Sequence, residues 1–117
     1  MNDDIRRLHV GARYSEAAVH NGTVYLAGMV AECASLDIRD QTADVLAQIQ
    51  RRLTECGSDK RRILRAQIFL ADIRDIDAMN EVWDAWVPAA NAPPRATVQA
   101  ALADPAWRIE VVVTAAA

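Results

Sequence analysis

Arg95 and Glu110 are the residues whose types and settings point most directly to chemistry. Arg95 stands at the mouth of an apolar, strand-like run, Pro93-Pro94-Arg95-Ala96-Thr97-Val98-Gln99. Glu110 lies inside a second such run, Trp107-Arg108-Ile109-Glu110-Val111-Val112-Val113. A guanidinium cannot lose its charge, and its planar fork matches a carboxylate through two parallel hydrogen bonds. A glutamate held near it, in a site also shaped for an anion, is poised for proton or water chemistry. Each residue also has a plainer reading. Arg95 can pair with an acidic side chain at a subunit boundary, and Glu110 can belong to a structural ion pair, because an unpaired buried carboxylate is costly.

The elements that must position this pair follow from local signals. Ala17 to Ala27 reads as a β-hairpin, with Asn21-Gly22 as a two-residue type I′ turn that needs positive φ at both positions. Gly28 closes the second strand, where a missing side chain lets another group approach the backbone. Asp37 or Asp40 then caps a helix to about Cys56, with Val45, Leu46, Ile49 and Leu53 on one face and Gly57 as its stop. Leu64 to Ala71 is a bounded apolar strand. A second helix runs from about Ile73 to Val87, with Ile76, Met79, Trp83 and Trp86 at helical spacing. Pro88, Pro93 and Pro94 end it. Strands over about Ala96–Leu102 and Ile109–Thr114, parted by a turn at Asp104-Pro105, complete the order β-β-α-β-α-β-β, a mixed sheet with two helices on one face and hence an α+β fold.

Val111, Val112 and Val113 are consecutive, so both faces of the last strand are expected to be buried. Two helices cover only one face of a sheet. A second copy of the chain is the simplest cover for the other, which predicts a closed homo-oligomer.

The 117 residues fit a single domain, 1–117, with 52% apolar and 25% charged residues, ordinary globular usage. The net charge of −3 disfavours a general nucleic-acid binder, and no stretch approaches the roughly 20 apolar residues of a membrane span. Met1-Asn2-Asp3-Asp4-Ile5-Arg6-Arg7 has no apolar signal core, and Cys33 and Cys56 make no disulfide framework or zinc site, so a reduced, cytoplasmic setting is expected. His9 and His20 carry no partner pattern. Cys56 near a helix C-terminus is disfavoured as a thiolate. Trp83 and Trp86 read as packing residues, and Lys60-Arg61-Arg62 as a solvated turn.

The chain resembles the Rid (reactive intermediate deaminase) family, also called YjgF-like or endoribonuclease L-PSP. The resemblance runs through Arg13-Tyr14-Ser15-Glu16-Ala17, Val24-Tyr25-Leu26-Ala27-Gly28, Ile68-Phe69-Leu70-Ala71-Asp72, Met79-Asn80-Glu81-Val82-Trp83, Pro94-Arg95-Ala96-Thr97-Val98 and Ile109-Glu110. Trp83-Asp84-Ala85-Trp86-Val87 and Thr97-Val98-Gln99-Ala100 are most similar to its YoaB-type branch. The resemblance implies a chorismate-mutase-like fold, a homotrimer with active sites between subunits, and a hydrolase. Its reaction turns enamine and imine acids such as 2-aminoacrylate and 2-iminopropionate into 2-keto acid and ammonia, without a cofactor. By the same resemblance Arg95 clamps the substrate carboxylate, Glu110 holds the attacking water, and Tyr14 shapes the opposite wall. Gly28 and Thr97 offer backbone groups, and Asn80 stands at the pocket edge. The chain departs from the family at Gly28-Met29-Val30-Ala31, where Gly-Gln-Ile-Pro is frequent, at Ala27, where serine is frequent, and at Thr97, commonly cysteine.

The expectation is therefore that Arg95 and Glu110 converge from adjoining β-segments in a crevice shared by two protomers. Besides the deaminase, two other functions are weighed: a binding or sensor protein that keeps the clamp for a keto acid without turnover, and a ribonuclease. The acidic balance and the lack of a convincing histidine pair count against the ribonuclease.

Overall fold

The structure, a computed structural model, describes residues 4–117, so residues 1–3 of the stretch read for a signal core lie outside it. The chain order is β1 (Arg6–Val10), β2 (Ser15–His20), β3 (Thr23–Leu26), α1 (Ile38–Glu55), β4 (Ile63–Leu70), α2 (Ile76–Trp86), β5 (Arg95–Gln99) and β6 (Ile109–Ala116). The strands form one six-stranded sheet in the order β1-β2-β3-β6-β4-β5. Only β4 and β5 pair in parallel, so the sheet is mixed as expected.

The sheet has one strand more than the order read from the sequence. β1 escaped notice because Arg6-Arg7-Leu8-His9-Val10 buries almost nothing: Leu8 alone is half-buried, and the rest of this edge strand is exposed. Its pairing with β2 over Arg6↔Val19 to Val10↔Ser15 holds it in place instead.

The hairpin turns where predicted, with Asn21 at φ 50° and Gly22 at φ 77°. The Asp37 carboxylate caps α1 by accepting from the Asp40 N–H at 2.9 Å. The helix ends in a paired stop: the Gly57 N–H reaches Thr54 O at 3.1 Å and the Ser58 N–H reaches Leu53 O at 2.9 Å, with Gly57 at φ 79°. Val45, Leu46, Ile49 and Leu53 are all fully buried and carry α1 onto the sheet. Burying each such side chain is worth about 1.5–3 kcal/mol.

The second helical segment is divided. A 3₁₀ turn at Ile73–Asp75 precedes α2, capped by the Asp72 carboxylate, which accepts from the Arg74 N–H at 2.9 Å. The Arg74 side chain, 2.7 Å away, adds hydrogen bonds that hold the Asp72 carboxyl down at about 2. A depressed carboxylate contributes stability above its unfolded value and loses it as the pH falls through the folded one. The Asp72 cap is thus expected to be whole above about pH 4 and to vanish towards pH 2. An NMR carboxyl titration of Asp72 with its midpoint near 4 would contradict this.

On β6, residues alternate strictly. Ile109, Val111, Val113 and Ala115 are buried under the helices, whereas Glu110, Val112, Thr114 and Ala116 are half-buried on the other face. Both faces were expected to be buried; in the single chain the second is open. Register places Gln67, Phe69, Val98 and Tyr25 on that open face with Glu110 and Thr114, and Tyr25 and Val98 are exposed. That face is mixed, with apolar Tyr25, Phe69, Val98 and Val112 beside polar Gln67, Glu110 and Thr114, and nothing in the single chain covers it. No helix among the described residues is long and apolar enough to cross a membrane.

Candidate functional site

Glu110 lines a cavity of about 430 Å³ together with Tyr14, Ala27, Gly28, Val30, Ala103 and Trp107. Three of the expected residues, Tyr14, Gly28 and Glu110, therefore meet in one chain. Three segments bring them there. Tyr14 ends the turn after β1, whose backbone is closed by the Gly11 N–H on Tyr14 O at 2.9 Å. Gly28 follows β3 and is locked against β6 by the bridge Met29↔Val111, with N–H to O distances of 2.8 and 3.0 Å. Trp107 and Glu110 flank the start of β6.

Gly28 is required by Glu110. A Cβ built on Gly28 would collide with the Glu110 Oε2 atom and stand 3.0 Å from its Cδ. The obstructing atoms are the end of a flexible side chain, so the fold can yield and the carboxylate moves instead. Gly28→Ala is expected to fold as wild type but to displace the Glu110 carboxylate, read as a shift of the Glu110 carboxyl resonance by NMR, and an unmoved resonance would contradict the cradle.

The Glu110 carboxylate makes no hydrogen bond or ion pair with any described residue, so the structural ion pair is not found among the described residues. The Arg95 guanidinium is likewise unpaired among the described residues. It lies over the Trp83 ring, 5.2 Å from ring centre to Cζ, which steadies the cation without neutralising it. Trp83, itself buried and packed on Trp86 at 5.7 Å between ring centres, is thus more than packing: it is the shelf on which Arg95 rests. Tryptophan at helical spacing gave no sign of this, because the contact joins α2 to a strand brought beside it by β4.

Arg95 and Glu110 do not converge within one chain, and they are not on adjoining strands. Arg95 opposes Ala66, which opposes Val113, and both are buried on the helix side. Glu110 opposes Phe69, which opposes Val98, on the open side. β4 lies between their strands, and the two residues are three positions apart along it. Strand spacings of ~4.8 Å and residue rises of ~3.3 Å set their Cα atoms about 14 Å apart, on opposite faces. Because the two side chains leave the sheet on opposite faces, one small acid cannot reach both within a chain. Any site using both residues must take them from different protomers.

Thr97 lies two residues along β5 from Arg95, on the same side as Ile68 and Val111. Its Oγ1 is buried without a hydrogen-bond partner, as is Oδ1 of Asn80 on α2. Neither residue lines the Glu110 cavity. The structure thus sorts the expected residues into two groups: Tyr14, Gly28 and Glu110 around the cavity, and Arg95 and Thr97 on edge strand β5 beside α2.

Among the other cavity residues, Ala27 and Val30 enter the sequence reading as departures from the family pattern, and it gives Ala103 and Trp107 no role. Trp107 stands three residues before Glu110, the one local hint.

The family model for endoribonuclease L-PSP matches residues 4–117. The chain is 48% identical over 112 residues to the RutC family protein YoaB of Escherichia coli strain K12, covering 96% of this chain and 97% of that one. A crystal structure of a YjgF protein family member from Neisseria meningitidis superposes with a TM-score of 0.94 at 53% identity, over 97% of this chain and 94% of the other. At greater distance, the human protein named 2-iminobutanoate/2-iminopropanoate deaminase is 26% identical across 84% of this chain and 75% of its own length. With its mixed sheet and two helices in the chorismate-mutase-like arrangement, this chain belongs to the endoribonuclease L-PSP, or YjgF-like, family.

Proposed function

We propose that the protein is an enamine/imine deaminase that hydrolyses reactive 2-imino acids to 2-keto acids and ammonia. Its site is assembled between protomers of a homotrimer. One protomer supplies Arg95 and Thr97 from the exposed edge of β5, and its neighbour supplies Glu110, Gly28 and Tyr14 from the cavity on the open sheet face. One observation carries the reading. An unpaired guanidinium on an edge strand and an unpaired carboxylate in a cavity leave opposite faces of the sheet in one chain, their Cα atoms about 14 Å apart, and a second copy would supply each with the partner it lacks. The name of the human relative supports the reaction class.

In this reading Arg95 holds the substrate carboxylate through its fork, and the cleft presents the imine carbon towards Glu110. Glu110 takes a proton from water as the oxygen attacks that carbon, giving a carbinolamine. That proton then passes to nitrogen, Glu110 takes up the carbinol O–H proton as the C–N bond breaks, and ammonia leaves a keto acid. Gly28, lacking a Cβ, leaves room for the Glu110 carboxylate against its backbone. Because such imines already hydrolyse in water, the demand on the protein is small: each tenfold of rate needs about 1.4 kcal/mol. The unpaired cysteines Cys33 and Cys56 agree with action in the cytoplasm.

The test generates the imine in place with an amino-acid oxidase and traps what survives with semicarbazide. Less trapped adduct in the presence of the protein supports turnover. Tight keto-acid binding with unchanged trapping would instead favour the sensor function.

A further inference from the structure

The Glu110 cavity has apolar lining, and the segments that supply it are fixed by side-chain hydrogen bonds. Trp107, Val30, Ala27 and Ala103 form this lining beside Tyr14. Trp107 belongs to the segment joining β5 and β6, and Val30 to the segment joining β3 and α1. Both segments are tied to one face of α1 by buried glutamines. Gln41, fully buried, accepts from the Arg108 N–H through its Oε1 at 2.9 Å and donates through Nε2 to Ala106 O at 3.1 Å. The peptides on either side of Trp107 are therefore both pinned to α1 by one side chain. The same Nε2 lies 3.0 Å from Leu36 O, and Gln48 Nε2 donates to Val30 O at 2.9 Å. Within the loop, the Ala106 N–H adds a bond to Asp104 Oδ1 at 2.8 Å and the Trp107 N–H reaches Asp104 O at 3.1 Å.

A cavity of about 430 Å³ falls within the range that takes molecules much larger than a three-carbon acid. A methyl side chain would leave the Trp107 and Val30 surfaces unfilled, whereas a branched or aromatic side chain would cover them. The geometry points to Trp107 as a specificity-determining residue of this cleft, receiving the substrate side chain against Val30 and Ala103. The preferred substrates are then 2-imino acids with aliphatic or aromatic side chains rather than the smallest members of the class. This rests on the deaminase reading for its reaction but not for its binding preference.

The experiment uses the assembled protein in two assays. The first compares kcat/KM for imines generated from alanine, leucine and phenylalanine. The second measures, by calorimetry, binding of the corresponding keto acids: pyruvate, 4-methyl-2-oxopentanoate and phenylpyruvate. Wild type is expected to favour the larger side chains by about 10-fold or more, the scale at which apolar pockets discriminate. Trp107→Ala should remove most of that preference and Trp107→Phe should keep most of it, with circular dichroism and oligomeric state confirming that both variants assemble. A preference for the alanine-derived imine, or one that Trp107→Ala leaves unmoved, overturns the inference while the deaminase reading stands. No turnover with any imine, but the same Trp107-dependent ranking of keto acids, sinks the deaminase reading and upholds the inference. Neither turnover nor binding sinks both.

Discussion

Arg95→Ala is expected to reduce imine hydrolysis by about 10²-fold or more in kcat/KM, with the protein still folded and assembled. The estimate follows from the loss of a bidentate, charge-assisted contact, whose individual hydrogen bonds are each worth about 1.5–3 kcal/mol. The fold should tolerate the change, because Arg95 is exposed at the start of edge strand β5 and its guanidinium lies over the Trp83 ring. Arg95→Lys should not restore activity. An ammonium keeps the charge but loses the fork and rests less well on Trp83. Steady-state trapping assays on both variants decide the matter. Full activity in Arg95→Ala, or recovery in Arg95→Lys, would refute the clamp.

Glu110→Gln is the second large effect. The amide matches the carboxylate in shape, so the Gly28 contact and the cavity are preserved while the ability to accept a proton from water is lost. A positioned general base contributes roughly 10²–10⁴-fold, and the loss should fall in that range. It should appear mainly in kcat, because carboxylate binding rests on Arg95 rather than on Glu110. Keto-acid affinity measured by calorimetry should therefore stay near wild type in Glu110→Gln and collapse in Arg95→Ala. Equal loss of affinity in both would contradict the division of labour.

Much of this architecture was legible because its signals are local. Asn21-Gly22 specified the hairpin turn, Asp37 the start of α1 and Gly57 its end, each through chemistry within a few residues. Glu110 and Gly28 were legible as a glutamate in an apolar strand and a glycine at a strand end, and the two proved to touch. What escaped depended on long-range pairing. β1 carries no burial pattern and exists through its partner strand. The relative facing of Arg95 and Glu110 depends on the parallel register of β4 with β5 and the antiparallel register of β4 with β6, neither of which a single strand reveals. Trp107 lies in an irregular loop, and its place in the cavity wall is set by Gln41, more than sixty residues earlier in the chain. Val112 is half-buried where the run of three valines predicted burial on both faces, and the proposed assembly would cover it.

The proposed division of the site between protomers would account for the incompleteness of each half. A carboxylate in a half-open cavity and a guanidinium on an edge would each be a poor structural device alone. In the proposed assembly they would face a common space in which one small anion satisfies the arginine and one water satisfies the glutamate. Tyr25 and Val98, exposed on the open face in the single chain, give that interface apolar surface to bury.

Subunit complementation tests the shared site most directly. Arg95→Ala and Glu110→Gln proteins, each nearly inactive, are mixed, dissociated and reassembled. If the two residues come from different protomers, a complete site forms wherever a Glu110→Gln chain lends its Arg95 to an Arg95→Ala neighbour. Random mixing should then restore roughly a quarter of wild-type activity. Activity that stays at the level of the separate variants, in an assembly shown by native mass spectrometry to contain both chains, would contradict the account.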